Sequence, residues 1–430
     1  MCRRSRRPGG AESRLNRVNL RPLEFAPGPY MFESLDRLPP DPILGSMAAY
    51  RADGDPAKVD LGVGVYRDER GDTPVLAAVK RAEAAVLARQ MTKSYVGSIG
   101  NAEFNRAMEE LTLGAAHAAL AGGRVRTIQA PGGCGALRLG AELIKASAAR
   151  SVVHVSTPTW ANHTPLIGGS GLKLANYVYY DAASGGLDFA GMVQALGKLP
   201  AGGVVLLQAS CHNPTGVDLT DAQWRELLSV FKRGALLPFI DMAYQGLGRG
   251  LAEDTFGIRL FAAELPEVLI AVSCSKNFGL YRERTGALHV VAASAAAADT
   301  ALSQLARIAR TIYSMPPDHG AAIVQEIMAN EVLRTAWLDE VAAMRARIAG
   351  LRAEFVQHLS TACPERDFSW IARQHGMFSL LGIDPAQVQE MRAKHHVYMM
   401  DDSRINIAGL RAGNLAYVAR ALAQVLRESV

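Results

Sequence analysis

Through the middle of the chain, short and wholly apolar runs alternate with amphipathic stretches, a pattern that predicts a mostly parallel sheet covered by helices. Residues 204–241 display the logic. An apolar run at 204–209 is followed by turn chemistry in His212-Asn213-Pro214-Thr215-Gly216, and Thr220 with Gln223 forms a capping box. Trp224, Leu227, Leu228 and Phe231 then recur at helical spacing, Gly234 is predicted to stop the helix, and residues 236–240 form the next run. In sheets built from such units, ligands bind outside the carboxyl ends of the strands. The residues at those ends are Trp160 after the run 152–156, Asn213 after 204–209, Asp241 at the end of 236–240 and Lys276 just beyond 268–273.

Farther on the pattern changes. A long helical stretch from about Met344 leads to residues 403–409, where Arg404, Asn406 and Ala408 alternate with Ile405 and Ile407 on two faces. The expected fold class is therefore α/β: a large domain over residues 76–343 and a smaller α+β domain over 344–430. Residues 31–75 are expected to form an N-terminal arm and part of the small domain. Residues 1–30 carry seven arginines against Glu12 and Glu24, interrupted by Pro8, Pro22, Pro27 and Pro29, which reads as a disordered basic extension before Met31.

Composition narrows the function. A chain of 430 residues, 49% of them hydrophobic, can bury the cores of two domains. The net charge of +5, from 46 basic and 41 acidic residues, carries no nucleic-acid signature. Cysteines at 2, 134, 211, 274 and 363 lack the spacing of a zinc site or disulfide framework, so no metal and a cytoplasmic location are expected. No apolar run reaches the roughly 18 residues of a membrane span, so no membrane partner is expected.

The residues gathered at the strand ends are those that pyridoxal 5′-phosphate requires: an amine, an acid for the pyridine nitrogen, a stacking plane, a phosphate cradle and a donor to the ring oxygen. Lys276 supplies the amine and Asp241 the acid, while Tyr244 and Asn213 can reach the ring oxygen. Gly132-Gly133-Cys134-Gly135, followed by a helical pattern at 136–146, would aim backbone N–H groups at a phosphate. Ser273, Arg284 and Tyr95 can add donors to it, and Trp160 can stack on the ring. Taken singly, each has a plainer reading: a solvated lysine, a capping aspartate, a tight turn, a core tryptophan.

In combination, His212-Asn213-Pro214-Thr215-Gly216, Asp241-Met242-Ala243-Tyr244-Gln245-Gly246 and Ser273-Cys274-Ser275-Lys276-Asn277-Phe278-Gly279-Leu280-Tyr281, with Glu283 and Arg284, closely resemble the aspartate and aromatic aminotransferases of fold type I. The resemblance implies that Lys276 carries the cofactor and acts as the base, with Tyr244 beside it. Asp241 would meet the pyridine nitrogen, Asn213 and Tyr244 the ring oxygen, and Trp160 the ring face. Gly133, Cys134, Ser273 and Arg284 would surround the phosphate, joined by Tyr95 of a second subunit. It also implies a homodimer with shared active sites, an arm over residues 32–42, and ping-pong transfer to 2-oxoglutarate.

For the amino acid and 2-oxo acid substrates, the resemblance gives Arg404 the α-carboxylate, Arg310 of the other subunit the side-chain carboxylate, and Gly64 a backbone contact. Trp160 and Asn213 would touch the substrate too. Cys134 stands where the family carries serine or threonine, and a thiol is the poorer donor. Met315 and Ser94 match neither the aspartate nor the aromatic pattern, whereas Val65, Arg67 and Thr73 lean toward aspartate. Three other readings stay open on the residues: a β-decarboxylase or β-lyase on the same fold, a non-enzymatic regulator that senses the cofactor, and a nucleotide-binding protein.

Overall fold

The computed structural model describes residues 30–38, 42–148 and 151–428. Residues 42–430 form one compact unit and residues 1–41 another. In the latter, Met31–Ser34 makes one 3-10 turn, and Tyr30, Met31, Phe32, Leu35 and Leu38 are all exposed. The extension expected over residues 1–30 lies outside the described residues except for Tyr30.

In the larger unit, β1 (Val59–Asp60) precedes β2 (Val125–Pro131), β3 (Val152–Thr157), β4 (Lys173–Val178) and the small hairpin of β5 (Tyr180–Asp181) and β6 (Gly186–Leu187). Then come β7 (Val204–Gln208), β8 (Leu237–Met242), β9 (Val268–Ser273) and β10 (Thr285–Val291). The seven-stranded sheet has the order β2-β10-β9-β8-β7-β3-β4. Only β10 runs against its neighbours.

Successive residues of the central strands feed opposite cores. Val205, Leu207, Ile240, Val268, Ile270 and Val272 join one apolar cluster, whereas Val204, Leu206, Phe239, Leu269 and Ala271 join the other. With a period of two, Gln208, Asp241 and Ser273 all project to the second side, the one covered by the helix Gly132–Ser147. That helix lies close to the sheet because Gly140 has no side chain: a Cβ there would meet the Phe239 ring at 2.5 Å. Gly140→Ala is expected to destabilise the protein by about 1–3 kcal/mol through overpacking. Thermal unfolding checks this, and an unchanged midpoint would show that the helix has slack.

Two strand assignments shift slightly. Asp241 lies inside β8 rather than at its end, since the strand continues to Met242 and Asp241 pairs in register with Gln208 and Ala271. The alternation at 403–409 is strand only over β13 (Arg404–Asn406), because the Asn406 side chain accepts from Ala408 N and starts a 3-10 turn at Ile407–Gly409. The capping box is present at Thr220 and Gln223, but the left-handed residue that ends this helix, Asp221–Gly234, is Ala235 (φ 46°) rather than Gly234.

The pattern read from Met344 belongs to a longer helix, Glu331–Ala362, started by the Asn330 cap. Around it, β1 pairs with β12 (Val397–Tyr398), and β11 (Phe378–Leu380) pairs with β13. Among the described residues, no helix is long and apolar enough to cross a membrane.

Candidate active site

A cavity of about 210 Å³ opens at the carboxyl ends of β7, β8 and β9. Gly133, Cys134, Trp160, Asn213, Asp241, Tyr244, Ser273, Lys276 and Arg284 line it, together with Leu137, Gln208, Ala243 and Ser275. Larger hollows of about 490 and 630 Å³ lie near the far end of the helix Gly132–Ser147 and have mostly aliphatic walls. The groups with chemistry to perform gather in the smaller one.

Lys276 is half-buried, and its amine lies 5.1 Å from the centroid of the Tyr244 ring. Burial pushes this amine below its usual range; Arg284 and Arg404 add to the push, and Asp241 and Cys134 oppose it. A lysine that loses its proton readily can serve as nucleophile and base. Tyr244 is buried, and that burial raises its phenol, so its hydroxyl keeps its proton.

Asp241 accepts from His163 at 3.0 Å. A carboxylate only accepts, so His163 Nε2 carries the hydrogen, and Nδ1 pairs with Thr159 Oγ1 at 2.8 Å. This uses Oδ2 of Asp241 and leaves Oδ1 without a hydrogen bond from the described residues. Trp160 packs edge-on against the His163 ring, with centroids 5.2 Å apart.

The other end of the cavity suits an anion. The helix Gly132–Ser147 begins after Pro131 with no side-chain cap, so its first N–H groups are unclaimed by one. Gly132 has φ +69°, and a Cβ there would meet the Arg284 guanidinium at 2.4 Å. Arg284 donates to Tyr281 O at 3.1 Å, and Ser273 Oγ receives the Ser275 N–H at 3.3 Å. Cys134 Sγ accepts weakly from Asn162 Nδ2 at 3.7 Å. An uncapped helix start, a guanidinium and two hydroxyls fit a phosphate; Asp241 Oδ1 and Lys276 fit the nitrogen and the carbonyl carbon of pyridoxal.

Arg404 borders this site. It donates to Asn213 Oδ1 at 3.1 Å and to Gly62 O at 2.9 Å, and it stacks 4.5 Å from the Phe378 centroid. Its buried Nε has no partner among the described residues. A buried donor left unpaired is unfavourable, and a carboxylate would satisfy it. Gly64 lies against the same Phe378 ring, to which a Cβ would approach within 3.0 Å.

The two remaining candidates lie elsewhere. Tyr95, 90% exposed, and Arg310 line a separate cavity of about 400 Å³ with Gly97, Ser98, Ser314 and Met315. Arg310 donates to Ser314 Oγ. Sequence reasoning missed His163, Gln208, Ser275 and Phe378. Only Ser275 stood inside a motif, and the others carry no local signal that separates them from ordinary polar or core positions.

The fold and this cavity together define a fold type I enzyme built around pyridoxal 5′-phosphate. The family described as aminotransferase class I and II matches residues 56–422. An aromatic-amino-acid aminotransferase of Pseudomonas aeruginosa is 47% identical over 92% of this chain and 98% of its own length. An aspartate aminotransferase of Escherichia coli is 44% identical over 92% and 100%. The crystal structure of an aromatic-amino-acid aminotransferase from Burkholderia pseudomallei, covalently bound to pyridoxal phosphate, superposes with a TM-score of 0.90 at 44% identity, covering 92% of this chain and 100% of that one. The chain belongs to the class I and II aminotransferases.

Proposed function

We propose that this aminotransferase moves the amino group of aspartate and of aromatic amino acids onto 2-oxoglutarate by a ping-pong cycle. The observation that carries the reading is the meeting of the Lys276 amine, the free oxygen of Asp241 and the Arg404–Asn213 pair around one cavity. Bound pyridoxal 5′-phosphate supplies the carbonyl that takes up the amino group and the ring that spreads the charge left at Cα.

The protein's own residues do the rest. Gly133, Cys134, Ser273 and Arg284 hold the phosphate, and Trp160 covers the ring face. Asp241 Oδ1 keeps a proton at the pyridine nitrogen. Asn213 and Tyr244 bond the ring oxygen, and Asn213 also faces the substrate. Arg404 grips the α-carboxylate with its planar fork, which lysine cannot reproduce, beside the Gly64 backbone. Lys276 Nζ would remove the Cα proton and return it to the carbon that was the cofactor's carbonyl.

We further infer a homodimer in which Tyr95 and Arg310 complete the partner's site, since both stand apart from Lys276 in their own chain. The exposed apolar side chains of Tyr30, Met31, Phe32, Leu35 and Leu38 suit an arm laid on a second subunit. A cytoplasmic location agrees with free thiols at Cys134, Cys211, Cys274 and Cys363.

Purified enzyme tested with a panel of amino donors, with and without 2-oxoglutarate, decides the reaction class. Loss of donor without an acceptor would point to decarboxylation or elimination and sink the transfer reading. Arg310→Ala is expected to lower kcat/KM for aspartate by about 100-fold, the scale of one lost charge pair, and that for phenylalanine far less. Equal losses would remove Arg310 from its role.

A further inference from the structure

We infer that Gln208 is a positioning residue for this reaction: its amide locks the Asn213 peptide, and through it the Asn213 side chain that serves both the ring oxygen and Arg404. The inference rests on the role of Asn213 proposed above. Gln208 ends β7, lines the cavity and is the register partner of Asp241.

Both ends of its amide are committed to one residue. Gln208 Nε2 donates to Asn213 O at 2.9 Å, and Oε1 accepts from Asn213 N at 2.8 Å. The Asn213 N–H and C=O have no other hydrogen bond among the described residues, so this one side chain satisfies both of that residue's backbone polar groups. Neighbouring groups are fastened independently. Asp218 accepts from Cys211 N at 2.7 Å and His212 N at 2.9 Å, and Gly216 O accepts from His375 N at 2.8 Å. Losing the Gln208 amide therefore frees the Asn213 peptide without releasing the loop.

The consequence reaches the cofactor and substrate sides together. Asn213 Oδ1 is taken by Arg404, so the donor left for the cavity is Nδ2, which has no partner among the described residues. A donor aimed at the ring oxygen favours the deprotonated form of the bound cofactor and lowers the pH at which its visible band titrates. A wandering Asn213 weakens that bond, so the midpoint rises, and it also loosens the Arg404 fork that receives the α-carboxylate.

The test uses the holoenzyme with Gln208→Met, Asn213→Ala and the double variant, reading the pH titration of the visible band and the KM of the amino donor. Gln208→Leu, of similar size, repeats the measurement should methionine impair folding. Gln208→Met is expected to raise the midpoint by about 0.5–1 pH unit and the donor KM several-fold. In the Asn213→Ala background the same change should add nothing, because its route is gone. A shift that persists in that background, or a native midpoint in Gln208→Met while Asn213→Ala moves it, overturns the inference. An unmoved midpoint in Asn213→Ala overturns the role of Asn213 itself and this inference with it.

Discussion

Lys276→Ala is expected to lower kcat/KM by about 10⁴-fold, the upper range for a positioned acid–base group, while the fold and cofactor uptake persist. Uptake should survive because the cradle proposed for the phosphate at Gly133, Ser273 and Arg284 and the free oxygen of Asp241 do not involve the amine. The visible band tied to covalent attachment should vanish. Lys276→Arg separates charge from proton transfer, since a guanidinium stays protonated at any working pH and cannot accept the Cα proton. It should be as inactive as alanine. Single-turnover measurements with aspartate and phenylalanine check both variants, and substantial turnover in either would remove Lys276 from the chemical step.

That lysine was legible because it follows a run, β9, that is buried throughout and apolar up to its last residue, Ser273, so the strand and its end stood out without help. Asp241 and Asn213 were legible for the same reason, as polar residues beside buried strands. The Thr220–Gln223 capping box was readable as local chemistry. The order of the strands was not, because nothing in β10 itself states that it runs against both β9 and β2. The pairing of β1 with β12 joins residues more than 300 positions apart, and only the folded chain brings them together.

The missed site residues share this origin. His163 gains meaning only from Asp241, and Gln208 only from the backbone of Asn213. Arg352 would pass for a surface charge on a long helix. Instead it is buried and donates to the carbonyls of Ile371, Gly376 and Phe378, holding the segment that carries the ring beneath Arg404. Burial draws this guanidinium down to about 10, still charged at neutral pH. The residues that line the cavity were thus readable at strand ends, whereas the contacts that hold them arise from tertiary structure.

Asp241→Asn is expected to lower kcat/KM by about 10²–10³-fold, the scale of one misdirected electrostatic group, with little change in stability. The substitution keeps size and shape, and an amide oxygen can still accept the His163 Nε2–H now held at 3.0 Å. With that oxygen engaged, the amide nitrogen takes the place of Oδ1 and turns a donor toward the cavity. A pyridine nitrogen then meets a hydrogen instead of a charge, loses its proton and withdraws fewer electrons from Cα. The loss should therefore fall on the proton-transfer step served by Lys276, while binding of the α-carboxylate at Arg404 is nearly unchanged. A substrate deuterated at Cα reads this directly: the isotope effect on the half-reaction should grow in Asp241→Asn as proton removal becomes limiting. An unchanged rate and isotope effect would mean that Asp241 serves only to hold His163.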